Sequence, residues 1–226
     1  MRRVLATVIF LGLGTAGPAW PSEVSGLKQI DLGHDAKSLQ RGARVAMEIC
    51  HSCHDLKYVR YRDLLDLGFS RAEVDDLSGG LDLQASLTSV TAKDQSTALF
   101  GKVPPDLSLM AIARPGGGSY IYSVLTGFYE TGTGAIDNHV FPGISMPDVL
   151  GYAAARDSGA RAESERQARD VAAFLAWAAD PYADSRHRIG YGVMIYLAIL
   201  TLLFYLVKRR TWSRLKHLEG PGSMPI

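Results

Sequence analysis

Cysteine is scarce in this chain, with two residues among 226. Two thiols cannot build the disulfide framework of a small secreted scaffold, and a structural zinc site would need ligands that a second Cys pair usually supplies. Excess charge is missing as well, since 24 Lys and Arg stand against 23 Asp and Glu, a formal net of +1. A balance so near zero gives no reason to expect nucleic acid as a partner. No stretch sustains period-two alternation, which excludes a large half-buried sheet and leaves an all-α class. No pairing of nucleophile and base stands out, and Gly116-Gly117-Gly118 lacks the strand-turn-helix context of a phosphate loop. The chain therefore gives no sign of bond-making chemistry of its own.

The little cysteine there is lies in one place, Cys50-His51-Ser52-Cys53-His54. The C-x-x-C-H spacing attaches a c-type haem: two thiols on one turn each form a thioether to a vinyl group, and the next residue, His54, becomes the first axial ligand of the iron. A redox dithiol would sit near a βαβ pattern, and none is found. One covalently bound haem c is expected, held by Cys50 and Cys53, with His54 on the metal.

The ends of the chain place it in a membrane. Residues 1–22 read as a signal peptide: Arg2 and Arg3 precede an apolar run from Val4 to Leu13 and a stretch rich in small residues. Near the other end, Ile189 to Val207 is free of charge, flanked by Arg186-His187-Arg188 and by Lys208-Arg209-Arg210. That is one transmembrane helix, and the five basic residues from Lys208 to Lys216 keep the tail in the cytoplasm by the positive-inside rule. The organisation expected is a signal peptide (1–22), an exported c-type haem domain (23–186), a membrane anchor (187–210) and a short cytoplasmic tail (211–226).

Within the haem domain, apolar residues at Leu39, Val45, Ala46 and Ile49 predict a helix from Asp35 to Ile49 that delivers the cysteines. Ser70-Arg71-Ala72-Glu73 has the form of a capping box, opening a short helix that stops before Gly79-Gly80. Ser86 to Lys102 reads as loop with at most a short helical piece. Ser119 is placed as the cap of a helix from Tyr120 to Tyr129, Gly132 to Gly143 as a loop, and Gln167 to Ala179 as the last helix before Asp180-Pro181.

A haem that carries electrons usually needs a sixth ligand, and Met146 is the choice. It lies in a loop after Phe141-Pro142-Gly143-Ile144-Ser145, and Pro147 stiffens the backbone behind it. The competitors are Met47, Met110, His34, His51 and His139, of which His139 is the serious rival. Methionine ligation would raise the reduction potential relative to two histidines. Asp63 to Asp82 holds six acids against one base, Arg71. This segment either steers a basic redox partner or is a solvated helix face.

Taken together, Cys50 to His54, Pro104-Pro105-Asp106-Leu107-Ser108, Arg114, Asn138 to Gly143, Met146-Pro147 and the single C-terminal anchor resemble cytochrome c1, the haem subunit of the cytochrome bc1 complex. The resemblance implies a cytochrome c-like haem domain, with a carbonyl from Pro105 to the outer nitrogen of His54 and with Arg114 and Tyr120 at a haem propionate. It implies one-electron transfer from a Rieske iron-sulfur protein to a soluble c-type cytochrome, as a subunit of ubiquinol–cytochrome c oxidoreductase beside cytochrome b in a dimeric complex. The setting implied is a bacterial inner membrane with its lipid, crossed once, with the haem domain in the periplasm. Asp148 departs from the family, where further prolines commonly follow the Met-Pro pair. The alternative is a membrane-tethered c-type cytochrome serving a terminal oxidase.

Overall fold

The computed structural model describes residues 26–33 and 35–218. The expected signal peptide, His34 and the residues after 218 lie outside the described residues. The chain divides into two compact units, one ending at Ala179 and one beginning at Asp180.

In the first unit the elements run α1 (Ala36–Glu48), β1 (Leu56–Arg60), α2 (Asp63–Asp66), α3 (Arg71–Ser78), β2 (Ser86–Leu87), α4 (Lys93–Phe100), α5 (Met110–Ala113), α6 (Gly117–Leu125), β3 (Phe128–Glu130), β4 (Ile136–Asn138) and α7 (Ser158–Ala179). The class is all-α with two minor antiparallel pairs, β1 with β2 and β3 with β4. Strands of two to five residues are too short to carry a readable alternation, which is why the sequence reading contains none.

The caps explain several helix boundaries. The Asp35 side chain accepts the Ser38 amide at 3.1 Å and opens α1. Ser70 and Glu73 satisfy each other's backbone amides at the start of α3, which ends on Gly79 in the left-handed region at φ 61°. Two boundaries differ from expectation. Helix α6 starts at Gly117, after Gly116 at φ 91°, and stops at Leu125. Ser119 is therefore inside it, with its hydroxyl turned to the Ile30 amide at 3.4 Å. Helix α7 starts nine residues before Gln167, at Ser158. Its first turns are almost wholly solvent-facing and show no apolar stripe.

The core lies where α1, α6 and α7 cross. The buried face of α1 carries Ser38, Gly42, Ala43, Ala46 and Met47, and it meets Ala168, Val171, Ala172, Phe174 and Leu175 of α7. Small residues on both helices allow the close approach. One buried polar lock crosses the same interface. The Asp170 carboxylate takes Arg41 Nε at 2.6 Å, Arg41 Nη2 at 2.9 Å and the Ser38 hydroxyl at 2.6 Å. The Asp170 side chain is 4% exposed and that of Arg41 45%, so solvent screens the arginine but not its partner. Asp170→Ala leaves a buried hydroxyl and an exposed guanidinium without their acceptor, and the expected loss, most of it from the buried Ser38 side, is about 2 kcal/mol. Thermal unfolding of the detergent-solubilised protein checks this, with Asp170→Asn falling in between.

The second unit is α8 (Ala183–Leu218), and the most apolar 18-residue window of its stretch Ser185–Arg214 has a mean hydropathy of 2.1. At 1.5 Å per residue this stretch is about 45 Å long, more than a bilayer's hydrocarbon core. Its apolar side chains, among them Ile195, Leu202 and Phe204, are exposed along the helix, as those of a lipid-facing span are.

Candidate haem site

Helix α1 ends at Glu48 and passes directly into a tight 3-10 turn over Cys50–Ser52. The Cys50 carbonyl accepts the amides of Cys53 at 3.1 Å and His54 at 2.9 Å, so both thiols and the imidazole are carried on one wound turn. Segment 90–91 straps that turn from outside, because Val90 and Thr91 donate their amides to His51 O and Ser52 O at 3.2 and 3.0 Å. The His54 ring is fixed in turn. Its Nδ1 lies 2.7 Å from the carbonyl oxygen of Pro105, which leaves Nε2 as the free ring nitrogen. A proline carbonyl suits this role, since the residue has no amide to compete and its φ is fixed.

Burial moves both the imidazole and the thiol toward their neutral forms. Desolvation lowers the His54 value, opposed by the Pro105 carbonyl and by Asp55 and Asp106, so the ring is neutral and its nitrogen available near pH 7. The same dry surroundings push the Cys50 thiol up to about 11.

Cys50, Cys53 and His54 open into a cavity of about 360 Å³, within the range of cofactor sites. Ile121, Val124 and Leu125 of α6, Val171 and Leu175 of α7, Pro104, Pro105 and Leu107 form its apolar walls. Met146 lies on the wall contributed by segment 141–149. Arg114 and Tyr120 also line it. A planar apolar group with a metal at its centre and anionic edges fits this donor set: two thiols, one imidazole, two thioethers and one guanidinium within hydrophobic walls.

Every residue singled out in the sequence for this site, Cys50, Cys53, His54, Pro105, Arg114, Tyr120 and Met146, lies on this one cavity. The competitors separate. Met47 packs in the core, His51 is buried under the attachment turn, and His139 stacks on Tyr129 at 4.0 Å between ring centroids, outside the cavity lining. Only Met110, at the start of α5, shares the cavity with Met146 among the described competitors. Lys102, which the sequence reading did not single out, also lines the cavity, its ammonium 5.9 Å from the Phe141 ring centroid.

The loop before Met146 is braced by two side chains whose roles were not read from the sequence. Asn138 is fully buried; its amide nitrogen donates to Val124 O at 2.7 Å, and its oxygen accepts the amides of Val140 and Phe141 at 2.9 and 3.1 Å. Asp137 Oδ1 accepts the amides of Gly143 and Asn138, both at 2.8 Å. An Asp-Asn pair ahead of a Pro-Gly turn is the signal that could have shown this, because such side chains close turns on nearby amides.

Those amides, Gly143 first, hold the Asp137 carboxyl below the ordinary carboxylate range, and the Ser89 amide does the same for Asp55 behind the attachment turn. A value depressed in the folded state contributes stability that is complete above the ordinary value near ~4 and disappears as pH falls through the depressed one. The cavity loops should therefore hold from neutral pH down to about 4 and loosen below it. Asp137→Asn, which still accepts a hydrogen bond but does not titrate, should remove part of that acid loss. Circular dichroism against pH checks both.

A helical domain with this donor set around one cavity, in a chain that also carries a helix of membrane-spanning length, defines a membrane-anchored haem protein. The chain belongs to the cytochrome c1 family, whose description, "Cytochrome C1 family", matches residues 27–215. Cytochrome c1 of Rhodospirillum rubrum is 33% identical, over 96% of this chain and 98% of that one. Cytochrome c1 of Allochromatium vinosum is 30% identical over 93% and 97%, and the mitochondrial cytochrome c1 heme protein of Neurospora crassa 35% over 84% and 68%. Among solved structures, a chain of "Hyperthermophilic respiratory Complex III" aligns over 94% of this chain and 95% of its own, with a TM-score of 0.49 and 19% identity.

Proposed function

We propose that this chain is the haem c subunit of a cytochrome bc1 complex and relays single electrons from a Rieske iron-sulfur protein to a soluble c-type cytochrome. One observation supports this above the others. A cysteine pair and an imidazole oriented by a backbone carbonyl share one apolar cavity with a loop methionine. In this reading Cys50 and Cys53 hold the haem as thioethers, His54 and Met146 ligate its iron, and Arg114 with Tyr120 meets a propionate. When bound, haem supplies a one-electron couple in which no covalent bond to substrate forms or breaks.

The protein's part is to set orientation and environment. Pro105 O fixes the His54 ring and makes it a better donor. The walls from α6 and α7 would keep water from the ligands, and Arg114 would place a permanent positive charge beside a propionate. The anchor α8 keeps the domain at the membrane, with the haem domain on the periplasmic side and the basic segment from Lys208 in the cytoplasm.

Mild-detergent purification through this chain tests the proposal. Co-purified b-type haem, an iron-sulfur subunit and inhibitor-sensitive quinol-to-cytochrome c reductase activity are expected. A c-type haem arriving alone or with oxidase subunits would overturn it in favour of the tethered carrier.

The acidic segment contributes less charge than its composition suggests, because two arginines from outside it pair with its acids, Arg62 with Asp63 and Arg44 with Glu73. Steering of a basic acceptor should therefore be modest. Reduction of the soluble cytochrome is expected to slow by less than about tenfold as ionic strength rises from low to physiological values, and a rate flat in salt removes the idea.

A further inference from the structure

The segment behind Met146 is fixed by contacts that haem binding does not require. Asp148 Oδ2 accepts the Ala153 amide at 2.7 Å, and the Asp148 carbonyl accepts the Gly151 amide at 3.2 Å, with Gly151 at φ 65°. The result is a closed turn over 148–153. It is fastened to α7 at two points: the buried Ser164 hydroxyl, 3.1 Å from its own helix's Ala160 O, donates to Leu150 O at 2.9 Å, and the Tyr152 hydroxyl donates to Glu165 at 3.2 Å. Asp148 Oδ1 is buried with no hydrogen-bond partner.

An acceptor left buried and unpaired is costly, and a short turn has cheaper ways to close. Such costs persist where the position serves a site. The site at hand is one residue away, since only Pro147 separates Asp148 from Met146. Pro147 fixes its own φ and restricts the residue before it, so an orientation imposed at 148 is passed back to Met146 with little slack.

We propose that Asp148, in a turn pinned to α7 by Ser164, is the positioning residue that holds the Met146 thioether at the haem cavity. The inference rests on Met146 being the sixth ligand. Asp148 is not a ligand; it limits how far the methionine loop can swing away.

The test uses the full-length protein in its complex, with covalent haem content and circular dichroism confirming folding. The readouts are the sulfur-to-iron charge-transfer band of the ferric protein and carbon monoxide binding by the ferrous protein. In Asp148→Ala the loss of the hydrogen bond that closes the turn on the Ala153 amide should lower the ratio of Met-ligated to open haem by about tenfold, so the band weakens and carbon monoxide binds. Asp148→Asn, which can still accept the Ala153 amide, should keep the band. Ser164→Ala, a substitution that a helix accommodates readily, should weaken it to a smaller degree. Met146→Leu must abolish the band; if it does not, the ligand reading fails and this one with it. If Met146→Leu abolishes the band while Asp148→Ala keeps it and resists carbon monoxide, only the positioning role is overturned. Equal losses in Asp148→Asn and Asp148→Ala would also overturn it, since charge rather than geometry would then be responsible. Should Asp148→Ala fail to accumulate, an unchanged Ser164→Ala overturns the proposal and a weakened band supports it.

Discussion

Met146→Leu protein is expected to keep its covalent haem, to show a much lower reduction potential, and to lose quinol-to-cytochrome c turnover. Leucine has nearly the volume of methionine and the position is half-buried, so the loop should fold around it with little loss of stability. Cys50 and Cys53 lie on a segment distant from the loop in sequence, so attachment through them would not depend on it. The thioether, however, favours reduced over oxidised iron, and axial ligand identity moves haem potentials over several tenths of a volt. A drop on the order of 0.1 V or more would make acceptance of an electron from a high-potential donor unfavourable. A redox titration followed in the visible spectrum measures the shift, and the same sample should bind carbon monoxide when reduced. An unchanged potential would move the ligand elsewhere on the cavity. Met110 is the one other described competitor that lines it, and Met110→Leu would then carry the effect.

Gly42→Ala is expected to be the most destabilising single methyl that can be added to the domain. A Cβ at Gly42 would run into the backbone carbonyl of Asp170 on α7, and would stand 2.9 Å from Phe174 Cβ. Neither obstacle is the far end of a flexible side chain. The α1 and α7 backbones would have to separate, and Ala43, Ala46, Val171 and Phe174, all 1% exposed or less, would lose packing along the crossing. The cost should reach about 3 kcal/mol or more, although alanine favours an isolated helix over glycine by nearly 1 kcal/mol. The sign is thus opposite to what helix propensity predicts, and a thermal melt settles it. Because α1 carries the attachment turn and α7 a wall of the cavity, a surviving fraction should also show a loosened methionine bond.

Much of the site was legible before any coordinates. The C-x-x-C-H run is a local motif, and its spacing alone winds both thiols and His54 onto one turn. The capping box at Ser70 was readable for the same reason, because it is satisfied within a few residues of itself. The span from Ile189 to Val207 was readable because lipid demands a continuous apolar run.

Other features depended on distance in the chain. Pro105 reaches His54 across 51 positions, and nothing in local pattern encodes that pairing apart from the family resemblance. His139 and Met146 were both credible ligands on chemistry. Only the β3–β4 pairing, which lays His139 on Tyr129, turned the histidine away and left the methionine on the cavity. The buried Asn138, the Asp170 lock and the Gly42 crossing belong to the same class, since each has meaning only against an element far off in sequence.

The sequence by itself determined the C-x-x-C-H turn, the long apolar helix and the helical class, because these follow from spacing, length and composition within short windows. The tertiary structure alone decided which of several sulfur and nitrogen atoms share one cavity, how His54 is held, and what backs Met146, because those are set by packing between segments that only folding brings together.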